Sequence, residues 1–243
     1  ENDHHYSESI IRLPHWYQAV YSKSQFTSNP PTRADMGLPE DGFVFCCFNN
    51  SYKLSPVEFK IWMRLLDKVE GSVLWLLNLN KWMKQNLQKE AVKQGISPDR
   101  LIFAEPIPHH EHLMRHRLAD LFIDNFNTNA GVTAGDALWV GLPIVTKLGN
   151  GLAARICGSL LMSLDMPELV TKTEQEYEAL ILELATNPER LATIRQKLTE
   201  NRLSTALFDT ESFTKHLEDG YNQAYQLYFD GKKPEAITVH KKD

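Results

Sequence analysis

The chain is short of cysteine, of long apolar runs and of positive charge, and each shortage removes a class of explanation. Its three cysteines, Cys46, Cys47 and Cys157, make an odd count. Cys46 and Cys47 are adjacent in a run that reads as a strand, so their side chains point to opposite faces. That arithmetic argues against a disulfide framework and for a reducing, cytoplasmic setting. No apolar run approaches the ~20 residues of a membrane span, and the N-terminus is polar rather than signal-like, so no membrane association is expected. Acidic residues outnumber basic ones, 31 against 26, for a net charge of −5. Beyond Lys232-Lys233 and Lys241-Lys242 there is no basic run, so nucleic acid is not an expected partner. The sequence also lacks Gly-x-Gly-x-x-Gly, a Walker lysine motif and Gly-x-Ser-x-Gly, which argues against a dinucleotide fold, an ATPase and a serine hydrolase.

What is present suits a soluble globular protein. At 243 residues, 42% hydrophobic and 23% charged, the chain can bury a substantial core. It opens with Glu1 rather than Met, which suggests a processed piece or a fragment. Residues 1–42 are punctuated by Pro14, Asn29-Pro30-Pro31 and Gly37-Leu38-Pro39 around one apolar stretch, and read as a lead-in or connector. From Phe43 strands and helices alternate. Strands are expected at Phe43–Phe48, Ser72–Leu77, Leu101–Phe103, Leu121–Asp124 and Ile144–Thr146. Ser55-Pro56-Val57-Glu58 opens a helix to about Val69, with Ser as N-cap, Pro at the first helical position and Glu completing a capping box. A second helix stops at Gly95, and a short one covers His109–Arg117. Thr133 and Asp136 have capping-box spacing ahead of a helix to Val140. Further helices are expected at Leu152–Leu164, Glu174–Thr186, Pro188–Asn201 and Glu211–Tyr228, with a polar tail over 231–243. This alternation predicts an α/β fold, a Rossmann-like, mostly parallel open sheet with helices on both faces, over 43–210.

In such a sheet ligands collect beyond the C-terminal strand ends, and three loops there carry candidate chemistry. Asn50 and Lys53 follow the first strand, the lysine able to reach a phosphate as a mobile point charge. His109, His112 and Arg115 are spaced i, i+3, i+6 and lie roughly on one helix face, suited to stacking on a base and pairing with phosphate. The His-His-Glu-His order differs from His-Glu-x-x-His and has no cysteine nearby, so no metal site is expected. The helix start at Val132-Thr133 offers unpaired N–H groups to a phosphate, and Asp136 suits ribose hydroxyls. Together the loops suggest a nucleoside diphosphate.

At this point the residues resemble the O-linked N-acetylglucosamine transferase family, the SPINDLY-related glycosyltransferases of family 41. The resemblance is carried by Phe48-Asn49-Asn50-Ser51-Tyr52-Lys53-Leu54-Ser55-Pro56 with Trp62, by Ser72–Leu77 and by Arg100–Phe103. It continues through His112-Leu113-x-Arg115, Leu118-Ala119-Asp120, Asp136-Ala137-Leu138-Trp139-x-Gly141-x-Pro143, Arg155 and Leu207-Phe208-Asp209. It runs in one order from about Tyr6 to Tyr225. The resemblance implies a GT-B architecture, two Rossmann-like lobes of which this chain is the C-terminal, UDP-binding one. Its last helix, over 211–230, would cross toward an upstream catalytic lobe preceded by tetratricopeptide repeats.

It further implies that Lys53 contacts the diphosphate and stabilises departing UDP as the catalytic group of this lobe, helped by Asn50. Ile107 would offer backbone bonds to uracil, His112 and Arg115 would flank the base, Asp136 would hold the ribose, and Val132-Thr133 would face the β-phosphate. The implied reaction moves GlcNAc from UDP-GlcNAc to Ser or Thr of an acceptor protein, with inversion and without a metal or other cofactor. Two departures stand out. Gly131-Val132-Thr133 replaces the family's usual His-Thr-Thr, and His109 stands where a lysine is often found, weakening a ribose or phosphate contact. Another donor sugar, an Asn acceptor, or a non-catalytic UDP-binding module are the alternatives.

Overall fold

Apolar runs that do not alternate with polar residues become strands covered on both faces. A computed structural model describes residues 6–20 and 30–241; the remaining parts of the lead-in and tail, 1–5, 21–29 and 242–243, lie outside the described residues. In chain order the elements are β1 (Ile11–Arg12), β2 (Val44–Cys47), α1 (Pro56–Lys68), β3 (Val73–Leu77), α2 (Lys81–Lys93), β4 (Leu101–Ala104), α3 (His109–Arg115) and β5 (Leu121–Ile123). There follow α4 (Val132–Trp139), β6 (Ile144–Lys147), α5 (Ile156–Ser163), β7 (Val170–Thr171), α6 (Glu174–Thr186), α7 (Pro188–Ser204), α8 (Thr210–Phe229) and β8 (Ile237–Thr238).

Six strands form one parallel sheet in the order β4-β3-β2-β5-β6-β7. The chain winds outward from β2 to β3 and β4, then returns to β5 on the other side of β2. Strand order therefore reverses between β2 and β5, and the crevice beyond their C-terminal ends is where such a sheet binds ligands. All four residues of β2 and all three of β5 are buried. Helix α1 begins as its sequence predicts, with Pro56 in the first turn and the Ser55/Glu58 capping box formed. Its buried face, including Phe59, Trp62 and Leu66, packs beside α6. The Trp62 indole donates to the Tyr177 hydroxyl (3.1 Å), which donates to the Asp124 carbonyl (2.9 Å), tying both helices to the end of β5. Helix α2 stops before Gly95, whose φ of 80° is the left-handed conformation that glycine adopts without strain.

Several expectations change. The polar tail is not free over its length: Ile237 and Thr238 pair in parallel with Ile11 and Arg12, and Ile237 and Val239 are buried. Gly220 of α8 permits this, since a Cβ there would stand 2.7 Å from Ile11 and 3.3 Å from Val239. The short strand β7 carries too few apolar residues to be read from periodicity. The helix expected over Leu152–Leu164 is a 3-10 turn, Leu152–Ala154, followed by α5, and that over His109–Arg117 ends in a 3-10 turn at His116–Leu118. The Thr133/Asp136 capping box does not form. Helix α4 starts at Val132 with Gly131 as its N-cap and no side-chain cap, because Thr133 and Asp136 have other partners.

Candidate functional site

The loops after β2 and β5 meet over a buried polar cluster at the switch point. Asp124, directly after β5, is fully buried. Its Oδ1 accepts from the backbone N–H groups of Asn125 (2.8 Å) and Ala130 (2.7 Å), and its Oδ2 accepts from the Thr146 hydroxyl (2.7 Å). These bonds curl the loop 124–131 onto the strand end. Burial pushes the Asp124 carboxyl up to about 6, opposed by the hydrogen bonds it accepts. Asn49, after β2, donates from Nδ2 to Asn125 Oδ1 (2.8 Å) and Asp124 Oδ1 (3.2 Å). Glu58 takes part as well, its Oε1 accepting from the Ser55 N–H (2.8 Å) and from Asn125 Nδ2 (3.3 Å). The α1 cap and the β5 loop thus share one carboxylate.

Two groups suited to phosphate emerge from this cluster. Lys53 ends the 3-10 turn Ser51–Lys53, and its Nζ donates to the Asn129 carbonyl (3.0 Å). One of three ammonium hydrogens is thereby used and two stay available. Three residues beyond Asn129, α4 begins with no side-chain cap among the described residues, which leaves its first N–H groups as donors. The Thr133 hydroxyl donates to Asn49 Oδ1 (2.7 Å) instead of capping its own helix. Val132 is 66% exposed at the rim, and Asn50 is exposed beside Asn49. The structure therefore brings Asn50, Lys53, Val132 and Thr133 to the β2 and β5 ends.

The β4–α3 loop supplies the other wall. No backbone hydrogen bond among the described residues engages the N–H or C=O of half-buried Ile107. Behind it, Arg115 is buried; its Nη1 donates to the Glu105 carbonyl (2.6 Å) and its guanidinium lies 5.1 Å from the Phe48 ring centre. Burial brings its pKa down to about 10, which leaves it charged at neutral pH. The three residues expected on one helix face thus descend from solvent to core. His109 is exposed, His112 half-buried and Arg115 buried, and Arg115 steadies the loop that presents Ile107.

His112 sits against Phe48 and His116, with ring centres 5.3 and 4.5 Å away. Burial, with the nearby charges of His116 and Arg115, pushes its pKa down to about 2. It is a neutral ring at physiological pH, and its Nδ1 is buried without a partner among the described residues. His109 Nε2 lies 3.1 Å from Asp136 Oδ2 and bridges α3 to α4. Burial raises the Asp136 pKa, and the His109 hydrogen bond partly offsets it. No cluster of three or more metal-binding side chains occurs among the described residues, and none of their helices is long and apolar enough to cross a membrane.

Asn49, Glu58, Asp124, Asn125 and Asn129 are not among the site residues that the sequence points to. Their signal was there: Asp124-Asn125 follows the apolar run Leu121–Ile123 without a spacer, and four of the six residues from 124 to 129 are Asp or Asn. A polar group so close to a buried strand must find partners inside the fold.

The chain is similar over most of its length to known proteins. The family model described as Glycosyl transferase family 41 matches residues 22–217. The Arabidopsis thaliana protein named "Probable UDP-N-acetylglucosamine--peptide N-acetylglucosaminyltransferase SEC" is 35% identical over 99% of this chain. A Caenorhabditis elegans UDP-N-acetylglucosamine--peptide N-acetylglucosaminyltransferase is 37% identical over 85% of it. The chain spans only 25% of the plant protein and 18% of the nematode one. Among solved structures, a mutant O-GlcNAc transferase of Thermobaculum terrenum superposes with a TM-score of 0.81 at 27% identity, covering 91% of this chain and 42% of that one.

Proposed function

We propose, from the premise that the chain belongs to glycosyl transferase family 41, that it is the donor-binding lobe of a UDP-sugar-dependent protein O-glycosyltransferase. The observation that carries this reading is the convergence of Lys53 and the uncapped start of α4 on one loop, through Asn129, at the switch point of the sheet. A diphosphate seated there would receive two ammonium hydrogens from Lys53 and the N–H groups of Val132 and Thr133. When the sugar departs, negative charge grows on the β-phosphate. Donors already aimed at that point stabilise it without reorganising, which is how the lobe would lower the barrier. In this proposal Lys53 and the helix start supply the positive charge, and no metal or other cofactor takes part.

The base would lie against the β4–α3 loop. The N–H and C=O of Ile107, without a backbone partner among the described residues, match a uracil edge, while the neutral imidazole of His112 offers a flat face at the wall. Arg115 would act mainly through the Glu105 carbonyl that it holds. Asp136 would take the ribose hydroxyls and share its carboxylate with His109. The donor sugar is proposed as GlcNAc and the acceptor as Ser or Thr of a protein, attacked with inversion. Another sugar or an Asn acceptor would use the same lobe.

The upstream catalytic lobe and its tetratricopeptide repeats belong to the same proposal. On α8, Tyr221, Tyr225 and Tyr228 recur at i, i+4 and i+7 and are 54%, 64% and 74% exposed, as a helix that meets a second lobe requires. By itself the 243-residue chain is expected to bind UDP weakly and transfer nothing. Calorimetric titration with UDP, UMP and ADP, repeated on Lys53→Ala and Asp136→Ala, tests the reading. Selective UDP binding that both substitutions abolish supports it, and equal affinity for ADP contradicts it.

A further inference from the structure

We infer that Asn49 is a positioning residue for the diphosphate. Its amide links the buried carboxylate of Asp124 to the Thr133 hydroxyl and so fixes the start of α4 relative to Lys53. This assignment rests on the donor-site reading above.

Every polar valence that Asn49 uses points to this role. Both Nδ2 hydrogens are spent on Asp124 Oδ1 (3.2 Å) and Asn125 Oδ1 (2.8 Å), so the amide cannot turn over without facing its oxygen toward a carboxylate. With Nδ2 held there, Oδ1 must face Thr133, whose hydroxyl donates to it at 2.7 Å. Asn49 is 7% exposed, so water competes little for these bonds. Asp124 also holds Ala130 N–H (2.7 Å), the residue before the Gly131 N-cap, and Asn129 presents its carbonyl to Lys53 (3.0 Å). Asn129 itself is tied down by its N–H to the Ala153 carbonyl (2.8 Å) and its Nδ2 to the Asn125 carbonyl (2.7 Å). One carboxylate thus orders both phosphate-facing groups, and Asn49 is its link to the helix side.

A chemical consequence follows for Thr133. Its single hydroxyl hydrogen is directed into the fold, so toward the site the oxygen can only accept. A phosphate oxygen cannot receive a hydrogen bond from it in this arrangement. The helix N–H groups and Lys53 are left as the donors, and their mutual placement determines affinity for the second phosphate. Asn49 touches no part of that ligand; it acts through Thr133.

The test compares UDP with UMP, which lacks the second phosphate, on the 243-residue chain carrying Asn49→Ala or Thr133→Val, with urea unfolding run in parallel. Asn49→Ala is expected to weaken UDP about fivefold to tenfold, as loss of the one of its three hydrogen bonds that reaches Thr133 would, while UMP affinity stays within twofold. Thr133→Val, nearly isosteric, is expected to give the same split, and the double variant no more than either single one. If Asn49→Ala fails to fold, Thr133→Val and its UDP/UMP ratio decide alone. Equal weakening of both nucleotides would make Asn49 merely structural, and no change in either would remove its role; both overturn the assignment. A wild-type chain that is well folded and binds neither nucleotide overturns the donor-site reading, and this assignment falls with it.

Discussion

Helices α1 and α4 both start at the C-terminal edge of the sheet, one after β2 and the other after β5, yet they begin in opposite ways. At α1, Pro56 removes one N–H and the Ser55/Glu58 box satisfies others. At α4, Gly131 offers no side chain, and the two residues spaced to cap it are bonded to Asn49 and His109. The contrast extends across the fold. Helices α1, α2, α6, α7 and α8 each have a side-chain cap, whereas α3, α4 and α5, which follow β4, β5 and β6, have none among the described residues. Capping is a stabilising device, and a helix start without it leaves backbone donors free for another partner.

The strongest way to break this comparison is to remove the charge at the α4 side. Lys53→Ala is expected to weaken UDP binding at least tenfold while leaving the unfolding midpoint unchanged, because its contact with the Asn129 carbonyl is a partly exposed one. Calorimetry and urea unfolding read the two effects separately. At α1 the signs reverse. Ser55→Ala is expected to cost about 1 kcal/mol of stability through loss of the cap, with the ratio of UDP to UMP affinity unchanged. Equal effects of the two substitutions on binding would erase the distinction between a capped and a donating helix start.

The pH dependence sharpens the same contrast between structural and functional groups. His116 is buried, with its pKa pushed down to about 4 by burial, and His112 is pushed down to about 2. Both are neutral in the fold and charge near 6.5 when unfolded. Their stabilising contribution is therefore present above about 6.5 and is lost as pH falls, for His116 through 4. Asp124 works in the other direction. Its folded pKa of about 6 lies above the unfolded value of 3.8, so its contribution is present below about 4 and lost as pH rises through 6. Near pH 5 the unfolded chain binds two protons more at the histidines and one fewer at Asp124. These three groups together give a slope of about one proton, ~1.4 kcal/mol per pH unit, with stability rising toward neutrality. In Asp124→Asn the opposing group is gone and the slope should approach two protons. A variant slope no steeper than wild type, in urea midpoints measured from pH 4.5 to 6.5, would contradict the raised carboxyl of Asp124, and a variant slope well below two protons would contradict the burial of the two imidazoles.

Most of the fold was legible because the signals were local. Five of the six main-sheet strands are short apolar runs, and the starts of α1 and α6 and the stop of α2 carry their own cap chemistry. What escaped was decided at long range. Strand β7 is two residues set by its register with β6. The pairing of β1 with β8 joins residues more than 220 positions apart and needed Gly220 to make room. Ile237→Ala, which would leave a cavity there, is expected to cost about 2 kcal/mol with no effect on nucleotide binding. At the site, Lys53 and the α4 start were singled out from their positions after strands and Ile107 from the family resemblance, while the Asp124 cluster that ties Lys53 to the α4 start was not. The capping-box spacing at Thr133 and Asp136 misled for the same reason. Spacing gives the reach of a side chain along its own helix, but Asn49, after β2, and His109, at the start of α3, bond both residues instead.

The measurement that tests the account most directly is an amide NMR titration of the chain with UDP. The resonances of Val132, Thr133 and Ala134 at the start of α4, and of Ile107, should shift on binding, while those of Val57 and Glu58 in the capped first turn of α1 should hold still. Shifts confined to α1, or spread evenly over both helix starts, would contradict the claim that the uncapped helix after β5 is the phosphate-binding element.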